Sequence, residues 1–584
     1  MSEMDLLGAM QGKAISIMRL WDGLKTEIIP PNWLNMLTLI PLLLAFPQQV
    51  PEVAKHLEVH PAGAQIVEQV RAGGMVRQQR RGGQNHLVQA PRWIRDDGGS
   101  LWICRDVSVG DSGASLLASQ DVAAQGVSCY PTGDAAPIFS AFMPDAHDPV
   151  VATADRLPYG AAMEVQDTDP SSAFDYQATV HVYDTCDQTG TPLWSYTFPN
   201  TLDYFGGGVL ISDFAEVVLT WKADPNLAKL RVEAFDIQGN LLSSAQLDSP
   251  PSFHSRQTRL SDDGTRAYFN IGTDAVIYDV LNGVELFRKP IGASFDSHAL
   301  SGDGQVFAFG NFGSLEVWKE STPGSWNQVG SASFSGDTYT AWLDLNTDGS
   351  LCAFQIQRFT PAYDHHEIGL FDVQAGSVLW TSSYDAPGTT LQLVASGVCF
   401  DEKADFIAGV SWGDSLNATP EGFVYNLAGV VTCEIDSRGS AFDGDLDVDG
   451  DVFAMGCKSI HANDFGNGGD VIVADPIEQE LHLLGYPSLG AALILTVPQS
   501  AGNSISLAVS RSLGNDMSVL GPTELDFAVL VAVLPYTMPY GGLATNITIP
   551  ANPSLLCQDL HAQAGLFGGH TDHLSNKVSL RVVP

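Results

Sequence analysis

Apolar and polar residues alternate along most of the chain with a period of two, the pattern of strands that show one face to a core. Helical periodicity is almost absent. Between about residues 100 and 484 one phrase recurs: a short apolar strand ending in an aromatic and usually Asp or Asn, a polar turn, then another apolar strand. Its eight copies are anchored at Tyr130, Tyr183, Phe235, Tyr278, Trp318, Phe371, Tyr425 and Ala474, 40 to 54 residues apart. In phase with it runs an Asp-Gly turn before an alternating strand, at Asp263-Gly264, Asp303-Gly304, Asp348-Gly349 and Asp449-Gly450. Glycine supplies the positive φ that a tight hairpin needs. Each period predicts four antiparallel strands, a blade that buries its faces only against its neighbours. The expected fold class is all-β, a propeller of about eight blades. Seven is the alternative, because the first copy lacks a clear outer pattern and the second carries a long insertion.

From Gly485 the period stops. Leu493 to Val497, Ile505 to Ser510, Leu525 to Val533, Leu543 to Pro550, Leu555 to Leu566 and Leu574 to Val583 read as six strands between Gly, Pro and Asn turns, which predicts a small β-sandwich. The expected organisation is therefore 1–47 as an N-terminal extension with a signal-like segment, 48–99 as a basic Gly/Gln-rich linker, 100–484 as the propeller and 485–584 as the sandwich.

Two stretches resemble the blade signature of quinoprotein-like (PQQ-like) propellers: Tyr183-Asp184 through Gly190 to Trp194, and Phe371-Asp372 through Gly376 to Trp380. The Asp-Gly turns are similar to those of WD40 and related bacterial propellers. The likeness covers about residues 100–484 and implies a fold more than an activity. Quinoprotein dehydrogenases seat their cofactor on a disulfide between adjacent cysteines; this chain has no Cys-Cys pair. The resemblance therefore points to the family's scaffolding and binding members, with no quinone cofactor expected. The ending, with Ile549-Pro550, Pro553, His561 to Ala564 and Leu574 to Asn576, resembles a terminal module of many uncharacterised secreted bacterial proteins.

Charge narrows the partners. The chain carries 67 acidic against 28 basic residues, and residues 106–584 alone hold 58 against 17. Nucleic acid is excluded as a partner, since binding it needs a basic face that displaces counterions. The loose basic run Arg71, Arg77, Arg80, Arg81, Arg92 and Arg95 reads as a solvated linker. Leu34 to Phe46 is too short to span a bilayer and fits the apolar stretch of a secretory signal, more so if translation starts at Met36. The expected location is secreted, periplasmic or cell-surface, with no stable membrane span after signal cleavage. The eight cysteines lack Cys-x-x-Cys spacing, which argues against a thiolate metal site. In an exported chain, Cys433 with Cys457 and Cys104 with Cys129 are the first bridges to test.

Calcium is the one ion that the sequence pattern invites. Asp445, Asp447 and Asp449 alternate ahead of Gly450, as at the start of a calcium loop. Counting from Asp445, however, position 12 is Gly456 where a bidentate Glu would stand, and the stretch aligns equally with a plain blade turn. His365-His366-Glu367 and the pair His570 and His573 around Asp572 read as surface histidines in loops. Trp318, Trp342, Trp380 and Trp412 read as core between blades. No catalytic residue emerges. The expected function is an exported, non-enzymatic binding or scaffolding protein presenting a ring face to a protein or glycan. The alternatives are an extracellular oxidoreductase or glycan-active enzyme with its site at the channel mouth, and an intracellular WD40-type platform. Charged residues converging on the channel would favour the enzyme.

Overall fold

Each aromatic-plus-acid phrase forms the third strand of a four-stranded antiparallel unit. A computed structural model of the protein describes most of residues 91–584, with short internal gaps, and a strand pair Gln69–Arg71 and Gly74–Val76 before them. The signal-like segment and Arg77, Arg80 and Arg81 of the basic run lie outside the described residues, whereas Arg92, read as part of a solvated linker, pairs with Asp475 at 2.5 Å. Among those described, no helix is long and apolar enough to cross a membrane. The chain divides into Met1–Val59 and His60–Pro584, and everything below concerns the second unit.

Eight sheets follow one another. Six are complete in sequence, from Ala146–Thr153 in blade two to Val431–Ile435 in blade seven. Blade one carries Val107–Gly110, Ser115–Val122, Gly126–Pro131 and Phe139–Phe142, so the poorly patterned first copy is a true blade. Blade eight takes three strands from Ala441–Ala474, and its outer strand is Trp93–Asp96, which pairs with Asp470–Val473. The end of the segment read as linker thus closes the ring, joining the two ends of the propeller by backbone hydrogen bonds.

The recurring residues have identifiable tasks. Tyr130, Tyr183, Tyr278 and Tyr425 are fully buried. The acid that follows caps the next turn: Asp184 accepts from Cys186 N (2.8 Å), Asp236 from Gln238 N (3.0 Å) and Asp372 from Ala375 N (2.7 Å). Trp194 and Trp380 donate Nε1–H to Ile237 O and Leu427 O of the next blade, both at 2.9 Å. They also cover Gly239 and Gly429, where a Cβ would come within 2.9 and 2.8 Å of the rings. The turn glycines Gly264, Gly304, Gly349 and Gly450 have φ of 70, 67, 65 and 70°. Blades three and seven place Ala215 (φ 54°) and Ala404 (φ 57°) in the same left-handed position.

The histidine reading needs correction. His365 and His366 lie on the strand His365–Asp372, and His366 is fully buried against Tyr384 and Phe423. Alternation in that strand points it inward. Burial, reinforced by the neighbouring His365, lowers its pKa to about 3. His573 begins the strand His573–Arg581; His570 and Asp572 lie outside the described residues.

Beyond the ring, His482–Leu484, Ala492–Val497 and Leu543–Thr548 form one antiparallel sheet. Leu530–Thr537, Ser504–Ser510, Asp559–Phe567 and His573–Arg581 form another. Leu495, Val497, Leu507, Ala564 and Leu566 share one core between them. The last hairpin docks on the turns of blades one and eight. There Arg581 pairs with Asp111 and with Asp559 (2.5 Å), and buried Lys577 pairs with Asp449.

Candidate functional site: the acidic mouth of the channel

The first strand of each blade lines a central cavity of about 370 Å³. Nine carboxylate residues border it, against one arginine, Arg259. Eight of them divide into two groups by what they touch, and the ninth, Asp401, caps its own turn.

One group stitches blades together. Asp106 accepts from Val151 N (2.6 Å), Asp344 from Phe400 N (2.8 Å), Asp443 from Val107 N (3.0 Å) and Asp445 from Val109 N (2.8 Å). Each bond runs from one inner strand to the next blade's inner strand. Asp401 accepts from Phe406 N (2.7 Å) inside its own turn. Burial raises the pKa of both Asp445 and Asp401 to about 7.

The other group sits on the hairpin turns between first and second strands, at one end of the channel. Those turns are tied blade to blade through the backbone. Ser112 N donates to Asp155 O (2.6 Å), Arg156 N to Asp213 O (3.0 Å), Asp213 N to Asp262 O (3.1 Å), Asp262 N to Gly302 O (2.9 Å) and Asp303 N to Thr347 O (2.8 Å). Thr347 Oγ1 then donates to Glu402 O (3.2 Å). The belt holds Asp155, Asp213, Asp262 and Glu402 around one opening. Gly302 leaves room for this, since a Cβ there would lie 2.1 Å from Asp262 Oδ2.

One carboxylate oxygen from each of Asp213, Asp262 and Glu402 lies within 4.8 Å of the other two. Arg156 Nη2 holds Glu402 Oε2 at 2.5 Å. Burial, then Asp262 and Glu402, push Asp213 up to about 7; burial, then Glu402 and Asp263, push Asp262 up to about 6. Burial and Asp213 raise Asp155 well above the carboxylate range. Crowded like charges in a partly desolvated ring favour either protons or a bound cation. Two oxygens on one calcium ion at about 2.4 Å stand at most about 4.8 Å apart, so the trio has the reach to share such an ion.

The acids singled out from sequence have other partners. Asp445 is a stitching residue. Asp447 Oδ1 accepts from Asp451 N and Val452 N at 2.7 and 2.8 Å, capping its turn. Asp449 pairs with Lys403 (2.8 Å) and Lys577. Trp342 lines the channel wall and donates to Ala395 O at 2.9 Å. Sequence reading passed over Asp213, Asp262 and Glu402, although each directly follows its turn-capping Ser212, Ser261 or Asp401.

No protein-family model matches the chain, and no curated protein matches it. Among solved structures, it is similar to Sqt1 of Saccharomyces cerevisiae at 10% identity, over 66% of this chain and 98% of that one, with a TM-score of 0.46. It is also similar to hydrazine synthase of Kuenenia stuttgartiensis at 10% identity, over 51% of this chain and 78% of that one, with a TM-score of 0.35.

Proposed function

We propose that this chain is an exported, non-enzymatic binding or scaffolding protein whose propeller mouth receives a cationic group, either a calcium ion or the basic side chain of a protein partner. The observation that carries this reading is the set of three carboxylates, Asp213, Asp262 and Glu402, held within 4.8 Å of one another on a hydrogen-bonded belt of turns. Export rests on Leu34 to Phe46, whose length and apolar character fit a secretory signal.

Charged residues do converge on the channel, which is the feature expected of an enzyme, and the raised pKa values of Asp213 and Asp262 invite an acid–base role. The nearest oxygens of the trio lie within 4.8 Å of one another, a spread that one cation can span, and this supports the binding reading.

Calorimetric titration of the full chain with calcium, and separately with a lysine-rich peptide, tests the reading. Saturable binding of one of them, lost in the Asp213→Asn, Asp262→Asn, Glu402→Gln triple variant at unchanged melting temperature, is expected. Absence of binding by both, or binding that the triple variant retains, overturns it.

A further inference from the structure

Cys186 and Cys557 come from opposite ends of the fold and meet. Cys186 sits in the turn after blade two's third strand, its N–H bonded to Asp184 Oδ1 at 2.8 Å, and it is 1% exposed. Cys557 follows the turn Pro553–Leu555 of the terminal module and donates its N–H to Val582 O at 2.8 Å. The residue before Val582 is Arg581, whose Nη1 reaches Cys186 Sγ at 3.8 Å. Arg581 and Val582 at one strand end therefore touch both cysteines, Arg581 through its guanidinium and Val582 through its carbonyl, and each cysteine is the strongest influence on the other's proton.

We propose that Cys186 and Cys557 form a disulfide that covalently fastens the terminal module to blade two of the propeller. Exposure also sets the order of events: Cys186 is 1% exposed, and burial adds to the rise of its thiol. Cys557 is the half-buried partner that solvent reaches, so its thiolate is the nucleophile. It attacks a sulfur of an external disulfide, such as oxidised glutathione, and displaces one thiolate. Cys186 then loses its proton and attacks the Cys557 sulfur of the mixed disulfide, displacing the second thiolate. The two protein thiols are oxidised by two electrons, and the external disulfide is reduced to two thiols.

The other cysteines are placed differently. Burial raises the thiols of Cys104, Cys129, Cys352, Cys399, Cys433 and Cys457, which disfavours the attacking thiolate. The bridge would close a long loop running from the end of blade two through blade eight into the terminal module, restricting the unfolded chain.

The test equilibrates the purified full chain in a glutathione redox buffer, traps free thiols by alkylation and maps the peptides. One cross-linked peptide pair joining residues 186 and 557 is expected in the oxidised sample and none after reduction. The oxidised protein should also melt at least ~2 °C higher than the reduced protein. Cys557→Ser should abolish both effects, leaving Cys186 alkylated after unfolding. The wild-type map needs no variant: full alkylation of Cys186 and Cys557 in oxidising buffer, or cross-links joining Cys433 to Cys457 or Cys104 to Cys129 in their place, overturns the proposal.

Discussion

Gly349 sits where two requirements meet, and replacing it measures both. Its φ of 65° belongs to the left-handed region, and a Cβ there would stand 2.5 Å from Val306 Cβ and 2.4 Å from Val306 Cγ2 of the preceding blade. Val306 is fully buried on a strand, so it has nowhere to withdraw. For Gly349→Ala the backbone strain is about 1–2 kcal/mol, and forcing a methyl into a packed interface adds about 1–3 kcal/mol. The sum is roughly 2–5 kcal/mol. Ala404, at the matching turn of blade seven with φ 57°, provides the control. Ala404→Gly relieves about 1–2 kcal/mol of strain. Against that stand about 0.5–1 kcal/mol of extra chain entropy and about 0.8 kcal/mol for the methyl removed from its core. The net change is within about 1 kcal/mol of zero. Both variants should be compared with the parent by calorimetric melting and by guanidinium midpoints. A drop of a few degrees for Gly349→Ala beside a near-neutral Ala404→Gly is the expected pair. An unchanged melting temperature for Gly349→Ala would refute the packing account of the blade turns.

Cation uptake at the mouth should strengthen with pH. Asp213 titrates near 7 and Asp262 near 6, so below those values protons occupy the oxygens, and apparent affinity falls by about tenfold per pH unit for each group that must ionise. Calcium titrations at pH 5.5 and 8 should differ accordingly, and equal affinities would contradict the assignment. Arg581→Met should destabilise by about 3–5 kcal/mol, because it leaves buried Asp111 without its cation; a smaller loss in denaturant titration would show that the module docks by other contacts. His366 takes up its proton near pH 3 when folded but near 6.5 when unfolded, so the unfolded state binds more protons between those values. Stability should fall as pH drops through that window, by at most about 1.4 kcal/mol per unit, and His366→Phe should flatten this part of a pH–melting curve.

The architecture was legible because repetition writes the same physical demand into the chain eight times. The anchors Tyr130 to Ala474 fall on the third strands of the blades in order, and the four Asp-Gly turns adopt the expected positive φ. The terminal strands were read nearly in place; Leu525 and Leu555 lie outside them, because Phe527–Val529 and Pro553–Leu555 form 3₁₀ turns capped by Asp526 and Asn552. Two of the three blades that build the acidic trio escaped notice for a local reason. Ala215 and Ala404 replace the turn glycine there, so Asp213 and Glu402 carried no turn signature.

What the sequence determined by itself is the set of local choices: alternation, turn chemistry, period and charge. Closure by Trp93–Asp96, the grouping of Asp213, Asp262 and Glu402 across blades three, four and seven, and the convergence of Cys186 and Cys557 on Arg581 and Val582 were decided only when the ring closed. A period fixes how each blade folds. It leaves open which turn residues come together on the circle, because that distance depends on blade number and ring curvature, properties of the whole assembly that no single segment carries.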